Sequence, residues 1–220
     1  MYIGEYLTKN DYDISPDDNL TFALDKMDEL HCATLPVVSN GDLLGLLSED
    51  LLLSMDNDAL AIGDIARSLH FVYLYEYQHI YDALQYMDAQ QLQLLPVLDK
   101  ENHYLGVLTY RDLLSAINET MGNKGAGAII VLELGVHDLS FSHIAHIFES
   151  ENIRILHTAI REIPNTTKLE LTIKVDKQHI ASVVASLWRF DYVVKATFND
   201  GSQDSDIKER YDILMNYLNL

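Results

Sequence analysis

The chain carries a single cysteine, Cys32, in 220 residues. With no second thiol, an intramolecular disulfide and a cysteine-based zinc site are both excluded. Positive charge is also scarce: 15 Lys and Arg stand against 34 Asp and Glu, a formal net charge of −19. Without a cation excess to displace counterions, binding to nucleic acid or to an anionic membrane is disfavoured. No uncharged apolar run approaches the roughly 18 residues of a membrane helix, so membrane insertion is not expected. The opening Met1-Tyr2-Ile3-Gly4-Glu5-Tyr6 offers neither the basic nor the apolar stretch of a secretory leader. What remains is 48% hydrophobic and 22% charged, enough for a core and too apolar for disorder. An acidic globular protein, expected in the cytoplasm, fits these absences.

The acidity is uneven. Residues 1–120 hold 5 Lys and Arg against 21 Asp and Glu, or −16, while residues 121–220 hold 10 against 13, or −3. A step of this size predicts two units joined near Met121-Gly122-Asn123-Lys124-Gly125-Ala126-Gly127, where closely spaced glycines cannot continue a helix cheaply.

The first part repeats itself. Ala23-Leu24-Asp25-Lys26-Met27-Asp28 followed by Leu35-Pro36-Val37-Val38 recurs as Ala83-Leu84-Gln85-Tyr86-Met87-Asp88 followed by Leu95-Pro96-Val97-Leu98. Leu44-Gly45-Leu46-Leu47-Ser48 recurs as Leu105-Gly106-Val107-Leu108-Thr109, and Ile3-Gly4-Glu5 as Ile62-Gly63-Asp64. The shared order identifies two copies of one module. Each copy reads as β-α-β-β-α. Leu20, Ala23, Leu24, Met27 and Leu30 keep helical spacing after Ser15-Pro16-Asp17-Asp18, which is expected to start and cap that helix. Ile80, Ala83, Leu84 and Met87 repeat the stripe, and Asn40-Gly41 marks a hairpin between two short apolar strands. Tyr73, Tyr75 and Tyr77 alternate as strand residues do, which favours one-face packing over ligand stacking.

The two hydrophobic-Pro-Val strands, the two Gly-hydrophobic-hydrophobic-Ser/Thr strands and the acidic residue after each resemble a tandem pair of CBS domains, a Bateman module. The resemblance implies a regulatory pair that holds adenosyl ligands in clefts between its modules and signals to a partner. It also implies that a Ser/Thr-x-x-Asp segment meets the ribose and phosphate of the ligand. A carboxylate suits vicinal hydroxyls because it accepts two hydrogen bonds at once. Thr109-Tyr110-Arg111-Asp112 matches in full. Asp112 is expected on the ribose, with Thr109 or Arg111 near any phosphate. Ser15, Cys32, Ala33, Thr34 and Pro36 of the first copy are expected to face them by the family's cross-module arrangement. The same Thr109-to-Asp112 spacing also fits a helix capping box, a role compatible with binding. The first copy departs from the pattern: Ser48-Glu49-Asp50-Leu51 places its carboxylate one residue early, about 100° around a helix. A second cleft of Ser48, Asp50, Tyr75, Leu92, Gln93, Leu94 and Pro96 is therefore less well formed. Arg67, Lys100 and Arg111 are the only cations between residues 27 and 120. The expected ligand is weakly charged or cationic, such as S-adenosylmethionine or adenosine, or an adenine nucleotide carrying Mg²⁺.

In the second part, the apolar run 128–134, a helix begun by Ser140, strands at 152–163 and 168–175, a helix at 180–188 and a strand at 192–198 give β-α-β-β-α-β. That is the ferredoxin-like order. The segment resembles an ACT domain, although Val136-His137-Asp138-Leu139 lacks the glycine and leading aspartate of that family's ligand loop. Assembly is favoured over amino-acid sensing. A CBS pair followed by an ACT-like domain is also the layout of AcuB-like acetoin utilisation proteins. His143-x-x-His146 is the one metal-like spacing, and its expected place opposite Ile144 and Phe148, with Phe141 and Ala145 on the apolar side, makes solvated histidines the better reading. From Asp204 onward, Ile207, Tyr211, Leu214 and Leu218 share one helical face.

The expected fold class is α/β (α+β): a CBS module at 1–59, another at 60–121, a linker at 122–127, an ACT-like domain at 128–200 and an amphipathic helix at 201–220. The expected function is a cytoplasmic, non-catalytic, ligand-sensing homodimer that acts on an unidentified protein target. The alternative is a structural or scaffolding dimer with vestigial clefts. No catalytic cofactor or metal is expected. Catalysis lacks support because Cys32 is expected in a strand and no Ser/His/Asp set or paired-carboxylate pattern is evident.

Overall fold

The computed structural model describes residues 1–9, 12–55, 61–122 and 125–198. The chain divides into two compact units, Met1–Ile117 and Asn118–Leu220, so the break falls just before the glycine-rich join. Residues 201–220, with the expected tail helix, lie outside the described residues, as do Asn123 and Lys124 of the join.

The first unit runs α1 (Leu20–Leu30), β1 (Thr34–Ser39), β2 (Asp42–Ser48), α2 (Glu49–Leu53), β3 (Leu74–Tyr75), α3 (Ile80–Gln90), β4 (Leu94–Leu98), β5 (Tyr104–Thr109) and all but the last three residues of α4 (Tyr110–Thr120). Helix α1 buries Leu20, Ala23 and Met27, and α3 buries Ile80, Ala83 and Met87. The cap of α1 differs from the expected one. Asn19 accepts from the Phe22 amide at 2.8 Å, because Asp18 is already engaged by the Ser15 amide at 2.8 Å in the preceding turn. Both helices end alike, on His31 and Gln91 at φ 52° and 53°. β1 pairs with β2 across Asn40-Gly41, both at positive φ as a tight primed hairpin turn requires. β4 pairs with β5 antiparallel across the longer loop 99–103, and β3 joins β4 in parallel. In the first copy the expected leading strand shrinks to one parallel bridge, Ile14 to Val37.

The two copies interlock. Ile62 and Ile65, which open the second copy, pack into the core of Leu20, Ala23, Leu35 and Leu47 in the first. Ile3, which opens the first copy, packs into the core of Ile80, Leu95 and Leu108 in the second. Short 3-10 turns at Ile3–Glu5 and Ile62–Ser68 carry these residues. Backbone bonds fix both turns. Ile62 and Gly63 donate to the carbonyls of Asp18 and Pro16 at 2.9 and 2.8 Å, and Ile3 and Gly4 to those of Gln78 and Glu76 at 2.9 and 2.8 Å. Each leading segment then bridges onto the last strand of the opposite copy, Thr8 to Val107 and His70 to Leu46.

Around β3, Val72 and Leu74 point into the core, while Phe71, Tyr73, Tyr75 and Tyr77 alternate outward. These four rings pack on one another, with successive centroids 5.4, 5.3 and 5.2 Å apart.

The second unit runs β6 (Ile129–Gly135), α5 (Phe141–Ser150), β7 (Ile155–Glu162), β8 (Lys168–Val175), α6 (Ala181–Arg189) and β9 (Val193–Phe198). The strand order β7-β8-β6-β9, antiparallel throughout, is that of a split β-α-β sheet. Leu169, Leu171, Ile173 and Val175 alternate onto the core with Ile130, Leu132, Ile144, Phe148, Val183 and Leu187. Of the remaining β8 positions, Lys168, Glu170 and Lys174 carry charge: Glu170 accepts from Arg161 and Lys195, and Lys168 pairs with Glu133. Those two cations hold the Glu170 carboxyl below its ordinary range. Two expectations for α5 change. Phe141 is largely exposed, because it is the first helical residue after the Ser140 cap. His143 is half-buried, with Nδ1 2.9 Å from the Tyr192 hydroxyl and its ring against Phe190.

Candidate functional site

β4 and β5 pair so that Leu94 lies opposite Thr109. The Tyr110 amide donates to the Gln93 carbonyl at 2.8 Å, so the strand ends are closed where α4 begins. Thr109 and Asp112 make a reciprocal start to that helix. The Asp112 carboxylate accepts from the Thr109 amide at 3.0 Å and from its hydroxyl at 2.6 Å, while Thr109 Oγ1 lies 3.2 Å from the Asp112 amide nitrogen. This satisfies backbone donors that a helix start leaves unpaired. It also aims the carboxylate at the strand ends.

A cavity of about 650 Å³ opens beside this corner, lined by Thr8, Tyr12, Leu30, His31, Cys32, Gln93, Leu94, Thr109, Tyr110, Arg111 and Asp112. It therefore unites the complete Ser/Thr-x-x-Asp segment with the end of α1 and with the chain leading into the first copy. Asp112 and Arg111 bring opposite charges to the rim. Burial pushes up the Cys32 thiol and the Tyr12 hydroxyl; the thiol and Asp112 add to the shift on Tyr12. Both groups are therefore neutral hydrogen-bonding partners near pH 7.

Of the residues expected at this cleft, Thr109, Arg111, Asp112 and Cys32 line it. Cys32 lies in the turn between α1 and β1, not in a strand, because the left-handed His31 ends the helix three residues before β1 begins. Ala33 touches the neighbouring Gln93, its amide 3.2 Å from Oε1. Ser15 is turned into the Asp18 loop. Thr34 stands opposite Ser48, with its hydroxyl buried and unpartnered among the described residues. Pro36 is buried opposite Leu46.

From the second expected set, Gln93 and Leu94 line this same cavity. Ser48 caps α2 through the Leu51 amide, Asp50 lies in its first turn and Leu51 takes the place that Asp112 holds in the other copy. The Tyr75 hydroxyl donates to Asn102 Oδ1 at 2.9 Å. Leu92 packs on the second core, and Pro96 is buried opposite Val107.

Thr8, Tyr12 and His31 also line the cavity and belong to none of the expected sets, while Leu30 and Tyr110 enter it from the α1 stripe and the Thr109-to-Asp112 segment. The signal for Thr8 lay in Gly106. A Cβ there would come within 2.7 Å of the Thr8 carbonyl oxygen, so the glycine marks where another segment crosses.

The model of the CBS domain matches residues 3–56 and again 62–119. The chain belongs to the CBS-domain family. Its interlocked copies are a CBS pair, and CBS pairs are regulatory, ligand-sensing modules. Among curated proteins, inosine-5'-monophosphate dehydrogenase of Methanocaldococcus jannaschii is 27% identical over 150 residues, covering 67% of this chain and 30% of that one. An uncharacterised protein of the same organism is 26% identical over 123 residues, covering 56% of this chain and 46% of that one. The chain thus spans less than half the length of these curated relatives. Among solved structures, a CBS domain pair/ACT domain protein of Thermotoga maritima is 21% identical with a TM-score of 0.48, covering 54% of this chain and 98% of that one. CBSX2 in complex with AMP is 20% identical with a TM-score of 0.43, covering 54% of this chain and 96% of that one.

Among the described residues, no helix is long and apolar enough to cross a membrane, and no group of three or more His, Cys, Asp or Glu is placed to hold a metal ion.

Proposed function

We propose that this CBS pair senses an adenosyl ligand in the cavity beside Asp112 and passes the signal to a protein partner, without catalysis. The observation that carries the reading is the Asp112 carboxylate, fixed at a helix start and directed into a cavity of about 650 Å³. That volume lies within the range of small-molecule sites. Carboxylate, neutral hydroxyl and thiol groups suit a ribose and a base better than a bare phosphate. The net charge of −16 over residues 1–120 weighs the same way, although Arg111 balances Asp112 at the cavity itself. S-adenosylmethionine, adenosine or an adenine nucleotide with Mg²⁺ is therefore the preferred ligand class. AMP binding by a related protein supports the adenine moiety.

The first copy offers less, because Leu51 replaces the carboxylate and Asp50 precedes it by one residue. This favours one functional cleft per chain and is also the best support for the alternative, a scaffold with vestigial clefts. The ferredoxin-like second unit is read as an ACT-like assembly domain of a cytoplasmic homodimer.

Thermal unfolding with AMP, ADP, ATP, S-adenosylmethionine, NAD and cyclic dinucleotides, each with and without Mg²⁺, tests the reading. A ligand at about 100 times its Kd stabilises by roughly 2.7 kcal/mol, which is readily measured. Stabilisation that disappears in Asp112→Ala supports the cleft. No shift from any ligand, with the variant melting as wild type does, would leave the scaffold.

A further inference from the structure

The same carboxylate oxygen already carries three donors. Asp112 Oδ2 accepts from the Thr8 hydroxyl at 2.9 Å, the Thr109 hydroxyl at 2.6 Å and the Thr109 amide at 3.0 Å. Two of these belong to the helix start and are local. The third comes from 104 residues away along the chain. A carboxylate oxygen offers about two lone-pair directions, so three donors leave no good geometry for a fourth. Vicinal hydroxyls bound across the carboxylate need Oδ2 as well as Oδ1, so a ligand diol must displace one of these donors. The Thr109 pair holds the helix start together, which leaves the Thr8 side chain as the group that can rotate away at least cost.

We propose that Thr8 is a built-in competitor for Asp112: its hydroxyl occupies the place of a ligand hydroxyl and thereby sets the affinity of the cavity. The inference rests on the cavity being the ligand site. Thr8 is well placed for the role. Its amide donates to the Val107 carbonyl at 2.9 Å and its carbonyl accepts from the Val107 amide at 3.1 Å. With the backbone so anchored, the hydroxyl competes as an intramolecular partner, at high effective concentration. Tyr12, farther along the same segment, also lines the cavity. Upstream, Ile3 is embedded in the core of the second copy.

Titration calorimetry with AMP and with S-adenosylmethionine, each with Mg²⁺, on wild type, Thr8→Val, Thr8→Ser and Asp112→Ala tests the inference. Loss of one hydrogen bond to a charged group makes Thr8→Val bind about tenfold tighter, whereas Thr8→Ser keeps the hydroxyl and stays near wild type. Asp112→Ala loses binding. If Thr8→Val binds equally or more weakly while Asp112→Ala still loses binding, Thr8 is a bystander or a direct ligand contact. The competitor is then overturned and the site stands. If Asp112→Ala binds as wild type does, or if neither wild type nor Thr8→Val binds either probe, the site itself fails and the competitor with it. A double-mutant cycle of Thr8→Val and Asp112→Asn in denaturant unfolding checks the contact without ligand. Coupling between the two is expected, and simple additivity would overturn it. Should Thr8→Val fail to fold, Thr8→Ala serves in both experiments.

Discussion

Gly106 and Thr8 meet backbone to backbone: a Cβ on Gly106 would lie 2.7 Å from the Thr8 carbonyl oxygen. Gly45 repeats the arrangement, where a Cβ would lie 2.7 Å from Leu69 Cβ. Both glycines sit at positive φ, 143° and 151°. These contacts are where the leading segment of each copy crosses the last strand of the other. Gly106→Ala and Gly45→Ala each combine an unfavourable backbone conformation with a steric conflict, for an expected loss of about 2 kcal/mol or more. Denaturant midpoints of the two variants measure this. A loss confined to one of them would break the equivalence of the copies.

Ile3 and Ile62 are fully buried, each in the core of the copy it does not introduce in sequence. Truncating either to alanine is expected to cost about 2–5 kcal/mol. A fragment that starts at residue 60 lacks Ile3 and leaves a gap in the second core. Its circular dichroism and melting should show a destabilised domain, and adding residues 1–9 back in trans should raise its melting temperature. Full stability of the fragment alone would contradict the interlock.

Glu170 titrates below its ordinary value because Lys195 and Arg161 donate to it. A carboxyl whose pKa is depressed by folding stabilises the fold above its unfolded pKa, about 4.3, and loses that contribution as pH falls through the folded value. Glu170→Gln should therefore melt below wild type at pH 7, and the gap should close as the pH is lowered into the acid range. A gap of constant size would assign the effect to packing.

Burial raises the Cys32 thiol pKa, and only the thiolate is a good nucleophile. Iodoacetamide at pH 7.5 should label native Cys32 several-fold more slowly than the same cysteine in denaturant. A ligand occupying the cavity should slow it further, which mass spectrometry reads directly. Ligand-independent labelling would place the ligand away from Cys32.

Much of this fold is written in local chemistry. Met27 and Met87 recur on matched helical stripes, Asn40-Gly41 has the backbone freedom of a hairpin turn, and Leu169 to Val175 alternate at strand period. Each signal acts over a few residues, so the sequence itself carries it. The same holds for the Thr109-x-x-Asp112 corner, where a helix start fixes the carboxylate from three residues away. What depends on distant partners was not legible. Asn19 displaced the expected cap because Asp18 was taken by Ser15, and His143 left the solvent face because Tyr192 and Phe190 came to meet it. The crossing of Ile3 and Ile62 into opposite cores is invisible to periodicity, since an isoleucine fits either core equally well. The bond from Thr8 to Asp112 belongs to the same class. The sequence by itself determined two acidic repeats, a ferredoxin-like partner and a carboxylate poised at a helix start. Only the tertiary structure decided which segment fills that carboxylate's hydrogen bonds, because a donor 104 residues away becomes a neighbour only when both cores have formed.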